Sequence, residues 1–266
     1  MPPILGSLVE QQVPRAHPPK TSPPAAAKLL SIRARALLSS GRNAAGIHDL
    51  LSSGEREALL RIATVVDLPR RRLRVFSQGD PARAVFIVGS GAASVSRNLE
   101  GGERQVLEFL YPGDLLGLAQ NGRYVNSAQT LTAARLFRIP YAGLKNLLEK
   151  DTHMRFALLV KLAHELREAQ RHIIVIGSTH VARRLAMLLG DLCLDSPYYN
   201  TMSGKLELPL TRSDIGDYIG ASAEAVTRAF AALEREKLLH RLRYRTVVIA
   251  DLPRLLRYAR GSRTAR

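Results

Sequence analysis

The stretch TRSDIGDYIGASAEAVTRAFAALER, Thr211 to Arg235, admits few folds: it reads as two short helices around a tight turn. Thr211 can cap the free amides of the first helix, and Asp214 brings negative charge to the positive end of its dipole. Ile215, Tyr218 and Ile219 form an apolar stripe, Gly220 is a natural left-handed stop, and Ser222 is placed to cap the second helix. In that helix Val226, Phe230 and Leu233 recur at core-facing positions, while Ala223, Glu224, Thr227 and Arg228 are left for the surface. Such a face suits the major groove, where arginine pairs bidentately with guanine and a carboxylate accepts from cytosine. An ordinary i, i+4 ion pair between Glu224 and Arg228 accounts for the same two residues. The rest of the chain has to decide between these readings.

A length of 266 residues suggests two domains, each burying its own core. The net charge of +16 and pI near 10.7 favour a polyanionic partner, nucleic acid first and an anionic membrane surface second. No apolar run reaches spanning length, and the first residues lack the basic region and apolar core of a secretory signal. The expectation is a cytoplasmic protein with double-stranded DNA, and no membrane, as partner. Cys193 is the one cysteine, which excludes an intrachain disulfide and an all-cysteine metal site. It lies in the apolar run RRLAMLLGDLCLD, which favours burial; a redox-sensing role is the alternative.

Residues 1–45 mix proline clusters with alanine and basic residues and read as a disordered extension, with a short helix allowed around Lys28 to Leu38. Folded structure is expected from Ile47, where Ser52 and Glu55 have capping-box spacing. Residues 46–150 then carry β-rich runs (Arg74 to Ser77, Ala84 to Val88, Ala92 to Arg97, Gln105 to Leu110 and Gln129 to Ile139) between glycine-bearing turns, the pattern of a barrel or sandwich. Residues 151–177 read as one helix in which Leu159, Leu162, Leu166, Ala169, Ile173 and Ile176 keep a strict heptad seam. That seam predicts a homodimer; the alternative is a single helix lying on its own strands. Residues 178–255 hold the paired helices and a hairpin, with Thr246 to Ala250 as a strand and His240, Arg241, Arg243 and Arg245 crowding its turn. Residues 256–266 read as a basic tail. Thr211, Arg212, Ser222, Arg243 and Arg245 join the surface of the second helix as candidate DNA contacts, the arginines of the hairpin turn and tail being suited to backbone phosphates.

The segment QGDPARAVFIVGSGAASVSRNLEGGERQVLEFLYPGDLLGL resembles the double-stranded β-roll of cyclic-nucleotide-binding domains, and LTRSDIGDYIGASAEAVTR resembles the helix-turn-helix of the Crp/Fnr superfamily. About four-fifths of the chain is covered by the resemblance. It implies an α+β fold made of an N-terminal β-roll, a long dimerisation helix and a C-terminal winged helix-turn-helix. It also implies a transcription regulator, with RNA polymerase as a further partner. Glu224, Thr227 and Arg228 are similar to the reading pattern of Fnr- and FixK-type regulators, and Ala223 stands where the cyclic-AMP type has arginine, which implies a TTGAT-like half-site rather than TGTGA.

Cyclic-AMP-type members hold the ribose with glycine-glutamate and the phosphate with arginine-serine. Here the first pair reads Gly117-Leu118 and the second is missing, so cyclic AMP is not the expected effector; Arg123 and Ser127 read as solvated loop residues. The cysteine cluster of the Fnr type is absent as well. No cofactor is predicted, but haem is carried as the alternative, in a gas or oxidant sensor with DNA binding as output. His153, His164, His172 and His180 on or beside the long helix are the conceivable ligands; His164 and His172 read as solvated. Cys193 has no plausible histidine–acid arrangement, and no serine lies in a nucleophile elbow or phosphate loop, so an enzyme is not expected.

Overall fold

The computed structural model describes residues 29–35, 47–178 and 180–261. Most of the expected N-terminal extension, and Arg263 and Arg266 of the tail, lie outside these described residues. Strands β1 (Arg33–Arg35) and β2 (Ile47–Asp49) pair antiparallel ahead of helix α1 (Ser53–Ile62). Then follow β3 (Thr64–Leu68), β4 (Arg74–Phe76), β5 (Ala84–Ser90), β6 (Ala93–Asn98), β7 (Arg104–Leu110) and β8 (Leu115–Leu116). The small hairpin of β9 (Ala119–Gln120) and β10 (Arg123–Tyr124) precedes β11 (Ser127–Thr130) and β12 (Ala134–Pro140). Two four-stranded antiparallel sheets result, ordered β4-β11-β6-β7 and β3-β12-β5-β8.

Nearly every residue of β5 is buried because both of its faces are covered. Successive side chains point to opposite faces, so Phe86 and Val88 pack with Val75 and Phe76 between the sheets, while Val85 and Ile87 turn to an outer cluster with Leu59, Phe137 and Met154. Two expectations fail at this outer cluster. Leu30 is wholly buried in it, so ordered chain begins before residue 46, and Arg33–Arg35 is a strand, not part of a helix. The apolar side chains Leu30 and Ile32 find a surface to cover, and the Asp49 carboxylate accepts from the Ile32 and Leu51 amides. The long run expected over Gln129 to Ile139 divides into β11 and β12, which belong to different sheets.

Helices α2 (Tyr141–Lys150) and α3 (Thr152–Gly177) lead to α4 (Val181–Asp195), the short strands β13 (Tyr199–Asn200) and β14 (Lys205–Glu207), and then α5 (Arg212–Ile219) and α6 (Ala223–Arg235). Strands β15 (Leu239–Arg243) and β16 (Thr246–Ile249) and helix α7 (Leu252–Ala259) complete the described chain, with a sheet ordered β13-β14-β16-β15. Helix α7 corrects the reading of residues 256–266 as tail alone, since Leu255 is wholly buried and Leu256 abuts Gly190 of α4.

Helix α3 has two faces. Met154, Ala157, Lys161, His164, His172 and Val175 are buried, which corrects the solvated reading of both histidines. Leu159, Leu162, Leu166, Ala169, Ile173 and Ile176 are exposed, so the helix lies on the roll through the face opposite the heptad seam. Its rotation is fixed by Lys161, which is wholly buried between Asp114 at 2.8 Å and Glu165 at 2.5 Å. Burial works against the ammonium charge, but the two carboxylates outweigh it and raise the pKa above the usual lysine range. Removing one member of such a set leaves uncompensated buried charge. Lys161→Met is therefore expected to lower unfolding free energy by about 3–5 kcal/mol, checked by urea titration followed by circular dichroism.

Candidate nucleic-acid interface

The turn between α5 and α6 is built from local signals. Thr211 Oγ1 accepts from the Asp214 amide at 3.1 Å while the Asp214 carboxylate accepts from the Thr211 amide at 2.9 Å, a reciprocal cap of α5. Gly220 closes the helix at φ 65°, and a Cβ at Gly216 would collide with the Ala221 carbonyl oxygen where the turn crosses α5. Ser222 Oγ then accepts from the Ala225 amide at 3.2 Å and starts α6. Val226, Phe230 and Leu233 are wholly buried, whereas Ser222, Glu224, Thr227 and Arg228 are exposed and Ala223 is half-buried. Thr227 donates its hydroxyl to the Ala223 carbonyl at 2.9 Å. Hydrogen bonds from its own backbone amide and the Ser222 hydroxyl hold the Glu224 carboxyl below its ordinary pKa, with a smaller contribution from the Arg228 charge. Among the described residues no hydrogen-bonded ion pair joins Glu224 to Arg228.

Arg212 is a correction. Its guanidinium is buried 3.7 Å above the Phe230 ring and 5.0 Å from that of Tyr244, and burial lowers its pKa. The arginine thus packs on the core side of α6 instead of presenting its charge to solvent. Arg243 is exposed on β15, Arg245 is half-buried in the adjoining turn, and Arg241 is held by Glu234 at 2.6 Å. Sequence reasoning missed Arg184, whose Nη1 donates to the Ile219 and Gly220 carbonyls at 2.7 and 3.0 Å and ties α4 to the turn. Such a contact leaves no trace in periodicity or spacing.

The back of α5 docks on β7 of the roll. Arg104 reaches Asp214 at 3.0 Å and Asp217 at 2.8 Å, and Gln105 Nε2 donates to the Asp217 carbonyl at 2.5 Å. Tyr218 stacks on His172 of α3 at 4.0 Å and lies 4.8 Å from Phe109 of β7. His172 faces the Leu107 carbonyl with Nδ1 at 2.9 Å and the Tyr218 carbonyl with Nε2 at 2.8 Å. One face of the paired helices is thereby spent on the roll, and α6 keeps the other.

A Crp-like helix-turn-helix domain is matched over residues 183–258 and a cyclic nucleotide-binding domain over residues 70–151. The nitrogen fixation regulation protein FixK of Rhizobium meliloti is 31% identical over 177 residues, covering 66% of this chain and 78% of its own. The transcriptional activatory protein AadR of Rhodopseudomonas palustris is 30% identical over 210 residues, covering 77% and 83%. The chain belongs to the Crp/Fnr family of DNA-binding transcription regulators. The structure of FixK2 from Bradyrhizobium japonicum superposes with a TM-score of 0.67 at 26% identity, covering 77% of this chain and 99% of that one.

As a Crp/Fnr regulator the protein is not an enzyme, and what remains is its ligand chemistry. The residues do not fit a cyclic nucleotide. Leu118 is half exposed, Ser127 Oγ is taken by the Gln78 amide at 3.0 Å, and Arg123 donates to the Gly79 carbonyl at 2.7 Å on the surface. Of the conceivable haem ligands, His172 has carbonyl oxygens at both ring nitrogens and His153 is bonded to Glu55 at 2.7 Å. Nor does Cys193 suit redox sensing. It is buried in α4, and burial pushes its thiol up to about 12, leaving negligible thiolate. Iodoacetamide should accordingly leave Cys193 unmodified in the folded protein and label it fully in denaturant, as read by intact mass.

Proposed function

We propose that this regulator acts in the cytoplasm as a homodimer that reads a pseudo-palindromic TTGAT-like site without cyclic AMP and engages RNA polymerase there. The observation that carries base reading is the outward face of α6, where Glu224, Thr227 and Arg228 are exposed over a buried row of Val226, Phe230 and Leu233. Arg228 projects with no carboxylate partner at bonding distance among the described residues and suits bidentate pairing with guanine, while Glu224 suits cytosine. Ser222 and Ala223 at the start of α6 let the helix end approach the base edges closely. Thr211 supports this face through its cap, and Arg243 and Arg245 of the wing supply phosphate contacts.

The exposed seam of α3 supports dimerisation. Leu159, Leu166 and Ile173 are 59%, 61% and 71% exposed on a helix whose other face is already covered, and solvent does not keep such a stripe dry. Two copies related by a twofold axis would bring their α6 helices to major grooves one helical turn apart. AadR is a transcriptional activatory protein and Anr of Pseudomonas aeruginosa a transcriptional activator, which supports the expectation of polymerase contact.

Arg228→Ala should weaken binding to a TTGAT palindrome by roughly 1–3 kcal/mol, about fivefold to 150-fold in Kd, at fixed salt in a fluorescence anisotropy titration. Equal affinity of variant and wild type would remove Arg228 from the reading face. Leu166→Glu places a charge in the seam and touches nothing in the protomer core. It should convert the protein to monomer in sedimentation velocity with unchanged far-ultraviolet circular dichroism.

A further inference from the structure

The C-terminal end of α5 is gripped by side chains from three other elements. Gln105 of β7 donates to the Asp217 carbonyl, Arg184 of α4 donates to the Ile219 and Gly220 carbonyls, and His172 of α3 lies 2.8 Å from the Tyr218 carbonyl. The last carbonyls of a helix have no partner within it, so these oxygens are open to donors from outside. His172 meets a second oxygen as well. Its Nδ1 is 2.9 Å from the carbonyl of Leu107, the extra residue of a bulge in β7 opposite the step from Val95 to Ser96. The ring is 7% exposed, so both nitrogens face acceptors in a buried contact. A neutral imidazole has one N–H and one lone pair, and only the imidazolium donates from both nitrogens. A neutral ring would set its lone pair against a carbonyl oxygen.

We infer that His172 is doubly protonated while the helix-turn-helix is seated on the roll, and that it is a positioning residue whose proton holds α6 in its DNA-binding orientation. Two further features suit a cation at this place. The C-terminus of α5 is the negative end of its dipole, and the imidazole stacks 4.0 Å from the Tyr218 ring with 19° between their planes. The charged and titratable groups around this pair come from every element that meets it: Glu168 and Arg171 on α3, Arg104 and Glu108 on β7, Asp214, Asp217 and the Tyr218 phenol on α5, and Asp191 and Arg184 on α4. Arg104 is matched by Asp214 and Asp217, Arg171 by Glu168 and Asp191, and Arg184 by the two carbonyls. The guanidiniums are thus offset, and a charge on the ring meets no net opposition from them. Losing the proton ends one of the two contacts, and with it the bridge from β7 to α5. Imidazoles exchange that proton between about pH 5 and 8, so the bridge is complete at the acid end of this range and is lost as pH rises. The orientation of α6 toward DNA is the reading given above; the protonation of His172 stands apart from it.

The test uses the full-length protein labelled with nitrogen-15 histidine, the His172 signals being assigned by their loss in His172→Gln. Without DNA, the wild-type ring should show two N–H groups at about pH 6 and one at about pH 9. This readout needs no DNA and no folded variant beyond the assignment, so it decides the protonation of His172 whatever the fate of base reading by α6. Binding to a duplex carrying the TTGAT palindrome is then followed by fluorescence anisotropy at fixed salt across the same range. His172→Gln keeps one neutral donor, and should bind roughly tenfold more weakly than wild type at about pH 6 and equally well at about pH 9. Thermal unfolding establishes that this variant folds. Arg228→Ala should lower affinity at every pH and keep the wild-type pH profile, which separates positioning from reading. The inference is overturned if the wild-type ring carries a single N–H at about pH 6, or if wild type and His172→Gln give parallel pH profiles.

Discussion

One buried ammonium sets the geometry on which the remaining features depend. Lys161 is in the middle of α3, and its position is dictated from two directions: Glu165 one turn along the same helix and Asp114 in the turn after β7. A charge taken out of water is tolerated only where its partners are fixed in place, so the helix cannot rotate about its axis without stranding it. That rotation decides which residues of α3 meet the roll. With Lys161 inward, Met154, Ala157 and Val175 are inward as well, and the leucines of the heptad seam must face out. The exposure of the proposed dimerisation seam is thus set by a polar contact on the opposite side of the helix.

Asp214 plays a comparable part at the other end of the molecule. Its carboxylate caps α5 by accepting from the Thr211 amide and hydroxyl, and it also meets Arg104 at 3.0 Å and Arg71 at 3.4 Å. One side chain therefore serves the local fold of the helix-turn-helix and its seat on the roll. Strand β7 meets α5 directly, because Arg104, Gln105 and Phe109 all lie on that strand. His172 adds a third link by bridging carbonyls of β7 and α5.

What was legible in the sequence is what short-range chemistry specifies. The caps at Ser52, Thr211 and Ser222, the left-handed Gly220 and the outward face of α6 each follow from a few adjacent residues, and the structure contains all of them. The heptad seam was visible because a 3.5-residue repeat survives translation into any environment. Burial of polar residues was not visible. Lys161, His164, His172 and Arg212 look like surface residues until a partner from a distant segment covers them, and those partners (Asp114, the Leu107 carbonyl, the Phe230 ring) are set by tertiary packing. Strand β1 was illegible for the same reason: three residues of the sequence Arg-Ala-Arg have no strand signature until β2 lies beside them.

The distribution of charge in the DNA-binding domain explains why its docking and its reading face are compatible. The carboxylates Asp191, Asp195, Asp214 and Asp217 all lie on α4 and α5, the side turned toward the roll and α3, where Arg71, Arg104 and Arg171 meet them. Arg228 and Arg243 lie on α6 and β15, exposed. A domain with an acidic back and a basic front is oriented by both of its neighbours at once. Turned around, it would press carboxylates against phosphates and arginines against the arginines of the roll, and like charges so juxtaposed cost several kcal/mol. The sign separation does not choose a base sequence, but it agrees with the proposed reading by the few side chains on the outer face of α6.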